Sequence, residues 1–149
     1  IYVEAVKGNL RFFVFENSKT DDFINIESYD EFLFNGYKIN FSELSQNSEK
    51  FNKKLLDNLI DCDKIVGKLC IRCRSEGDSV RVRKRAGTKS LKKLFNENNI
   101  SVEKRNILPI ICDDEGIVWI YSIGVCERCS VDENSCNIIY VEGEDNDEK

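Results

Sequence analysis

The sequence of 149 residues predicts an α+β fold in which strands dominate. Three observations support this class. Apolar and polar residues alternate over several short runs, Gly-containing turn signals separate these runs, and apolar residues recur at helical spacing in only a few short stretches. The length and the 41% hydrophobic content fit a globular chain with its own core, and no apolar run approaches the roughly 18 residues of a membrane span.

The leading part of the chain is predicted to be β-rich. Its strongest signal is Asn35-Gly36, because this pair accepts positive φ at both central positions of a two-residue hairpin turn. Further along, apolar residues at helical spacing predict a short helix. The predicted elements of this part are a strand at 10–15, a hairpin of 31–34 and 37–41, a polar loop at 42–50 and a short helix near 49–59.

The second part of the chain alternates strands with two short helices. The segment 79–83 places polar and apolar residues in turn, which predicts a strand with one solvated, arginine-bearing face. Gly87 and Thr88 then predict a helix start with Thr88 as the N-cap. The buried stripe of this helix is Leu91, Leu94 and Phe95; the other predicted elements are strands at 68–74, 108–112, 117–123 and 137–141, turns at 76–78 and 113–116, a helix at 101–106 and a solvated acidic tail at 142–149.

The net charge of −5 conceals a strong segregation of charge. Residues 64–105 carry 13 basic and 4 acidic side chains, a net charge of +9 that leaves −14 for the remainder. Between Ser79 and Asn96 there are seven cations and no acidic residue. A solvated surface is the better interpretation for any single lysine. A cluster of this density at a helix entry, whose free N–H groups attract phosphate, predicts contact with a nucleic acid.

The cysteines and the absence of histidine limit the chemistry. Without His, a His nucleophile–base pair and a His metal ligand are excluded. An odd number of cysteines favours free thiols in a reducing compartment. Two Cys-x-x-Cys pairs, Cys70/Cys73 and Cys126/Cys129, suggest zinc, but the first lies in a predicted strand, where residues three apart face opposite sides, and 52 residues separate the pairs. We predict buried thiols and no metal site, with a thiol or zinc enzyme as a lesser alternative.

If the thiols are buried and hold no metal, the purified chain should contain little zinc. The purified chain should contain well under one zinc ion per molecule and should keep its fold in a strong chelator, because buried thiols do not depend on a metal. Elemental analysis and circular dichroism measure the two quantities. A full equivalent of zinc, together with unfolding on chelation, would contradict the prediction.

Several motifs resemble the C-terminal substrate domain of bacterial tRNA(Ile)-lysidine synthetase. The motifs occur in the order and spacing of that family over residues 67–141. They are Gly77-Asp78, the run Gly-Thr-Lys-Ser-Leu-Lys-Lys-Leu-Phe at 87–95, Arg-Asn-Ile-Leu-Pro-Ile at 105–110, Asp-Glu-Gly-Ile-Val-Trp-Ile at 114–120 and Glu127-Arg128. The resemblance implies a mixed β-sandwich or barrel-like sheets with a few short helices, similar to a domain of the β subunit of phenylalanyl-tRNA synthetase. The predicted organisation is a leading segment at 1–66, either separate or part of the same domain, the family domain at 67–141, and the tail at 142–149.

The resemblance also implies an activity for the parent enzyme. Such an enzyme uses ATP to join lysine to the wobble cytidine of a CAU-anticodon isoleucine tRNA. ATP and Mg²⁺ belong to an N-terminal domain with a Ser-Gly-Gly-x-Asp-Ser loop that this sequence does not contain. With no Met and an opening Ile1-Tyr2-Val3, the sequence is therefore expected to be a non-catalytic piece of a bacterial, cytoplasmic ligase, without a cofactor or a membrane partner of its own. A homodimer formed through the parent enzyme stays open.

We predict that the cation-rich run at 79–96, which we call the basic segment, holds tRNA phosphates, since duplex RNA is recognised mainly through phosphates and 2′-hydroxyls. The alternative, from another functional class, is a protein-interaction or oligomerisation domain that uses its β edges and its acidic remainder. No residue is predicted to be catalytic or to bind metal. The predicted tRNA-binding residues are Arg72, Arg74, Arg81, Arg83, Arg85, Thr88, Lys89, Lys92, Lys93, Arg105 and Arg128.

Overall fold

The computed structural model describes residues 23–44 and 53–145, so the predicted strand at 10–15 and most of the predicted loop at 42–50 lie outside the described residues. Within these ranges the chain forms eleven strands and three short α-helices. The strands are β1 Phe23–Ile26, β2 Glu31–Phe34, β3 Tyr37–Leu44, β4 Leu59–Asp61, β5 Leu69–Arg72, β6 Ser79–Val80, β7 Lys89–Ser90, β8 Ile110–Asp113, β9 Gly116–Ile120, β10 Gly124–Val125 and β11 Ile138–Asp145. The helices are α1 Lys53–Leu56, α2 Leu91–Glu97 and α3 Val102–Arg105, with 3₁₀ turns at Cys62–Lys64 and Glu127–Cys129.

The strands form three antiparallel sheets. One has five strands in the order β1-β5-β8-β9-β10, one has four in the order β2-β3-β11-β4, and the third is the two-stranded ribbon β6-β7. Strands from before and after residue 67 share both larger sheets, because β1 pairs with β5 and β11 lies between β3 and β4. The predicted α+β class with dominant strands and a few short helices is confirmed.

A single hydrophobic core joins the two larger sheets. Ile39 and Val141 contribute to it from the four-stranded sheet, and Ile71, Ile110 and Val118 from the five-stranded sheet; all are fully buried. The α2 stripe packs into the same core, as predicted, with its three apolar residues buried: Leu91, Leu94 and Phe95. Burial of apolar surface on this scale is the main contribution that favours folding.

The two hairpins predicted from turn residues are present. Asn35 and Gly36 have φ of 51° and 86°, as the predicted turn requires, and they join β2 to β3. The second hairpin joins β8 to β9, where Gly116 has a φ of 141°. Among the described residues, no helix has the length and apolar character that crossing a bilayer requires.

Two predicted boundaries were wrong. The helix near 49–59 is shorter within the described residues, because α1 ends at Leu56 and Leu59 begins β4, where it pairs with Tyr140 of β11. The acidic tail begins later than predicted, because β11 continues to Asp145 along β3. Backbone groups pair whatever the side chain, so an acidic composition did not reveal this extension.

The predicted start of α2 was also wrong. Lys89 and Ser90 form β7 and pair with β6, so the chain is still extended after Thr88. The N-cap is Ser90, whose hydroxyl accepts the Lys93 N–H at 3.2 Å, and the helix begins at Leu91. A serine satisfies a free helix N–H as well as a threonine, and strand pairing selects the position.

Candidate nucleic-acid interface

The basic segment starts on the β6-β7 ribbon and continues into a loop, residues 81–88, which we call the basic loop. Val80 and Val82 are buried and Arg81 between them is exposed, as the predicted alternation requires. The backbone of the loop is bonded to β10 and to the 3₁₀ turn after it, because the Arg83 N–H donates to Val125 O at 3.0 Å and the Glu127 N–H donates to Arg81 O at 2.7 Å.

The middle of the basic loop has an unusual backbone. Lys84 has a φ of 63°, a left-handed backbone conformation that residues other than glycine rarely adopt. Its N–H donates to Glu127 Oε1 at 2.9 Å, and the Arg85 N–H closes a turn onto Val82 O at 3.0 Å. The side chain of Lys84 is exposed. Local hydrogen bonds therefore fix the loop conformation while leaving this cation in solvent.

Arg83 does not lie on a solvated face, contrary to the prediction. Its side chain is only 10% exposed, and its Nη1 lies 2.9 Å from Asp57 Oδ1. The Asp57 carbonyl also accepts the Val125 N–H at 2.8 Å. Arg83 thus attaches the basic loop to the turn that follows α1.

Arg72 and Lys89 are likewise held in ion pairs. Arg72 donates to both carboxylate oxygens of Asp78, at 2.9 and 3.0 Å, and to Cys73 O. Burial raises the pKa of Asp78, but hydrogen bonds from Arg72 and from the Ser75 N–H outweigh it, and the pKa lies below its usual value. Lys89 pairs with a carboxylate at the end of α2, Glu97, at 3.0 Å.

Arg74 and Arg105 flank the buried ring of Phe95. Each guanidinium carbon lies 5.9 Å from the ring centroid, within the range of a cation–π interaction. Arg105 also donates to Ile100 O and Asn96 Oδ1, both at 2.9 Å, and Arg74 donates to a side chain that follows α3, Asn106, at 3.1 Å. Both arginines therefore help to fix α2 against the segment that contains α3.

Arg128 makes the most extensive ion pair of the predicted set. Its two terminal nitrogens donate to the carboxylate of Asp113 at 2.9 and 2.6 Å, and the Asp113 side chain is completely buried. The same carboxylate accepts three backbone N–H groups, those of Val66, Glu115 and Gly116. Burial raises the pKa of Asp113, but these hydrogen bonds, that from Arg128 above all, hold it below its usual value.

Five cations of the basic segment have neither an ion pair nor a side-chain hydrogen bond in the part of the chain that the structure describes. Four of them were predicted: Arg81, Arg85, Lys92 and Lys93. The fifth, Lys84, is absent from the predicted set. Its membership of the dense run between Ser79 and Asn96 was the signal that could have identified it. We call these five residues the unpaired cations: Arg81, Lys84, Arg85, Lys92 and Lys93.

Two open hollows flank the ribbon, and Ser79 lines both. One, of about 530 Å³, has Arg74 and Lys92 on its walls. The other, of about 400 Å³, contains Arg81 and Thr88 together with Arg128, Glu115 and Glu127. Thr88 therefore lies beside Arg81 and not at the helix start. The residues that line each hollow offer hydroxyl and guanidinium donors, which suit the phosphate and ribose groups of a nucleic acid.

One of the cysteines, Cys126, lines the smaller hollow beside Glu127 and Arg128. The predicted burial holds for the pair Cys126/Cys129, whereas the pair Cys70/Cys73 is only half-buried. Of the other thiols, Cys112 is buried, Cys62 is half-buried and Cys136 is exposed. A hydrogen bond with Cys129 lowers the pKa of Cys126, and the two thiols enclose the turn that carries Glu127 and Arg128. Among residues 23–44 and 53–145, no group of three or more Cys, Asp or Glu residues is arranged to hold a metal ion.

Comparison with known proteins gives consistent matches. Residues 69–141 match the family described as the TilS substrate C-terminal domain. The chain is 29% identical over 109 residues to the tRNA(Ile)-lysidine synthase of Caldanaerobacter subterraneus, and 31% identical over 126 residues to that of Clostridioides difficile. These alignments cover 73% and 78% of this chain but only 22% and 27% of the relatives. The chain thus spans about a quarter of the length of the curated relatives that it matches.

The fold agrees with the sequence comparison. A crystal structure of a TilS C-terminal domain matches with a TM-score of 0.67 and 23% identity, and the match covers 85% of this chain and 98% of that chain. This coverage is more than residues 69–141 can supply, so the shared fold includes part of the remaining chain. The predicted resemblance is confirmed: through residues 69–141, this chain belongs to the family of the TilS substrate C-terminal domain.

Proposed function

We propose that this chain is the tRNA-binding C-terminal part of a tRNA(Ile)-lysidine synthase and that it performs no chemistry itself. The observation that carries the proposal is the set of unpaired cations on the basic loop and the first turn of α2. The relatives named tRNA(Ile)-lysidine synthase support tRNA(Ile) as the partner. The whole enzyme would then be a cytoplasmic ligase that modifies tRNA with ATP, and any homodimer would form through that enzyme.

No feature of the described residues supports a site for ATP or Mg²⁺. They contain no Gly-rich phosphate loop and no group of three or more carboxylates or thiols around a common point. We therefore assign ATP, Mg²⁺ and the ligation step to another part of the enzyme. What these residues offer a tRNA is positive charge and hydrogen-bond donors.

Ion pairing within the chain separates two kinds of cation. Residues such as Arg83 and Arg128 are already compensated by carboxylates, and moving them to a phosphate would break a structural contact. The unpaired cations have no such contact to lose. Since duplex RNA is bound largely through its phosphates, the unpaired cations should supply most of the electrostatic affinity.

Removal of two unpaired cations tests the proposal. Lys92→Ala/Lys93→Ala should weaken binding of a tRNA(Ile) transcript by about tenfold at low salt, because two phosphate contacts and their counterion release are lost. The slope of log K against log salt concentration should become shallower by about 1.4–1.8. Fluorescence anisotropy at several salt concentrations measures both quantities.

A matched control separates the effect of removing the unpaired cations from the effect of lowering the total charge. Lys38→Ala/Lys64→Ala removes the same charge from two lysines that pair with Glu31 and Asp132 elsewhere in the fold. This control should change the salt slope little. If the two double variants bind with the same affinity and the same slope as the unmodified chain, the unpaired cations form only a solvated surface, and the protein-interaction alternative gains support.

A further inference from the structure

An acidic residue lies inside the surface proposed to bind a polyanion. Glu127 lines the same hollow as Arg81 and is exposed to solvent. A carboxylate at this place repels phosphate, so on charge alone it should weaken tRNA binding. A second acid, Glu115, lines the same hollow. The two carboxylates differ in what they contact.

Glu127 is bonded to the basic loop at two points. Its N–H donates to Arg81 O at 2.7 Å, and its Oε1 accepts the Lys84 N–H at 2.9 Å. The second bond is to the residue with the left-handed backbone, at a φ of 63°. A lysine reaches this conformation only at a cost in free energy, so a charged acceptor on its N–H helps to hold it there. Glu115 has no side-chain hydrogen bond or ion pair in the described part of the chain.

We propose that Glu127 is a positioning residue for tRNA binding. Its carboxylate holds Lys84 in the left-handed conformation and thereby fixes the directions in which the Arg81, Lys84 and Arg85 side chains leave the loop. Glu127 acts through the loop and does not contact the RNA. This inference rests on the proposed function, since it concerns how the unpaired cations are presented to tRNA. A loop fixed in this way loses less conformational entropy on binding than a free one.

Three variants separate positioning from charge. Glu127→Gln keeps an acceptor oxygen and removes the negative charge, and Glu115→Ala removes a negative charge from the same hollow without touching the loop. Both should bind a tRNA(Ile) transcript at least as tightly as the unmodified chain. Glu127→Ala also removes a negative charge, yet it should bind about three- to tenfold more weakly, because the loop contact is lost. For Glu127→Ala, a positioning role therefore predicts weaker tRNA binding, whereas an effect of charge alone predicts tighter binding.

A second readout examines the loop itself. The Lys84 amide should exchange its hydrogen markedly faster in Glu127→Ala than in the unmodified chain and in Glu127→Gln, as NMR can measure without RNA. If Glu127→Ala binds tRNA as tightly as Glu127→Gln and Glu115→Ala, or if its Lys84 amide exchanges unchanged, the positioning role is wrong while tRNA binding stands. If the unmodified chain fails to bind tRNA at all, the proposed function and the positioning role fall together.

Discussion

Replacing Asp113 by Asn should lower the free energy of unfolding by about 3–5 kcal/mol, the range for breaking a buried ion pair. Every oxygen of this completely buried carboxylate faces donors: Oδ1 accepts the N–H groups of Glu115 and Gly116, Oδ2 accepts that of Val66, and Arg128 donates to both. An asparagine therefore directs its NH₂ group at other donors in either orientation. Urea denaturation followed by circular dichroism measures the loss.

The matched control is an exposed ion pair. Asp132 pairs with Lys64 at 2.9 Å, but its side chain is 51% exposed, so Asp132→Asn should cost less than about 1 kcal/mol. If Asp113→Asn is no more costly than this control, the buried carboxylate does not stabilise the fold as inferred.

Acidification should also show how much the Asp113 carboxylate contributes to stability. The pKa of Asp113 is lower in the folded chain than in the unfolded chain, so its contribution is present in full above the unfolded value, about 4. The contribution is lost as the pH falls from there through the folded-state pKa. The unmodified chain should thus lose stability on acidification more steeply than Asp113→Asn.

Local patterns allowed much of the fold to be predicted. The Asn35-Gly36 turn depends on the backbone freedom of two adjacent residues, and the buried stripe of α2 depends on a repeat within two helical turns. Neither needs information from distant parts of the chain. Both were correct in the structure for that reason.

Contacts between distant residues limited the rest. The choice of Ser90 over Thr88 as N-cap depends on pairing with β6, where the partner of Ser90 is Ser79, eleven residues earlier. The extension of β11 depends on β3, about a hundred residues away in sequence. Such pairings leave no trace in a short window of sequence.

The candidate site shows the same division. Charge density pointed to the stretch of chain that carries the unpaired cations, because charges are counted directly from the sequence. It could not separate Arg81 from Arg83, because the ion pair of Arg83 is with Asp57, which is distant in sequence. Nor could it reveal the left-handed backbone of Lys84. Whether the resulting set binds tRNA is a prediction for the lysine and Glu127 variants.

For the chain's one tryptophan, Trp119, the question is also whether the side chain is buried in the core or is available to bind RNA. The sequence favours core packing over base stacking, because the residue lies among apolar neighbours in a predicted strand. In the structure Trp119 is 2% exposed on β9, and its ring meets Tyr121 edge-on with centroids 6.3 Å apart. Its Nε1 donates to Asn58 Oδ1 at 3.0 Å, which attaches β9 to the turn after α1. The core assignment is confirmed.

Trp119→Ala should therefore lower the free energy of unfolding by about 3–5 kcal/mol, through lost burial and the cavity left behind. Trp119→Phe keeps a ring in the core but loses the hydrogen bond and leaves Asn58 without its donor. Its loss of unfolding free energy should therefore be smaller than that of Trp119→Ala, at roughly 1–3 kcal/mol. Val102→Ala, at a side chain that is 72% exposed, is the control and should change stability little. Thermal melts of the three variants measure the order. A Trp119→Ala melt that coincides with that of Val102→Ala would contradict the core assignment and would make stacking on RNA bases the better interpretation of Trp119.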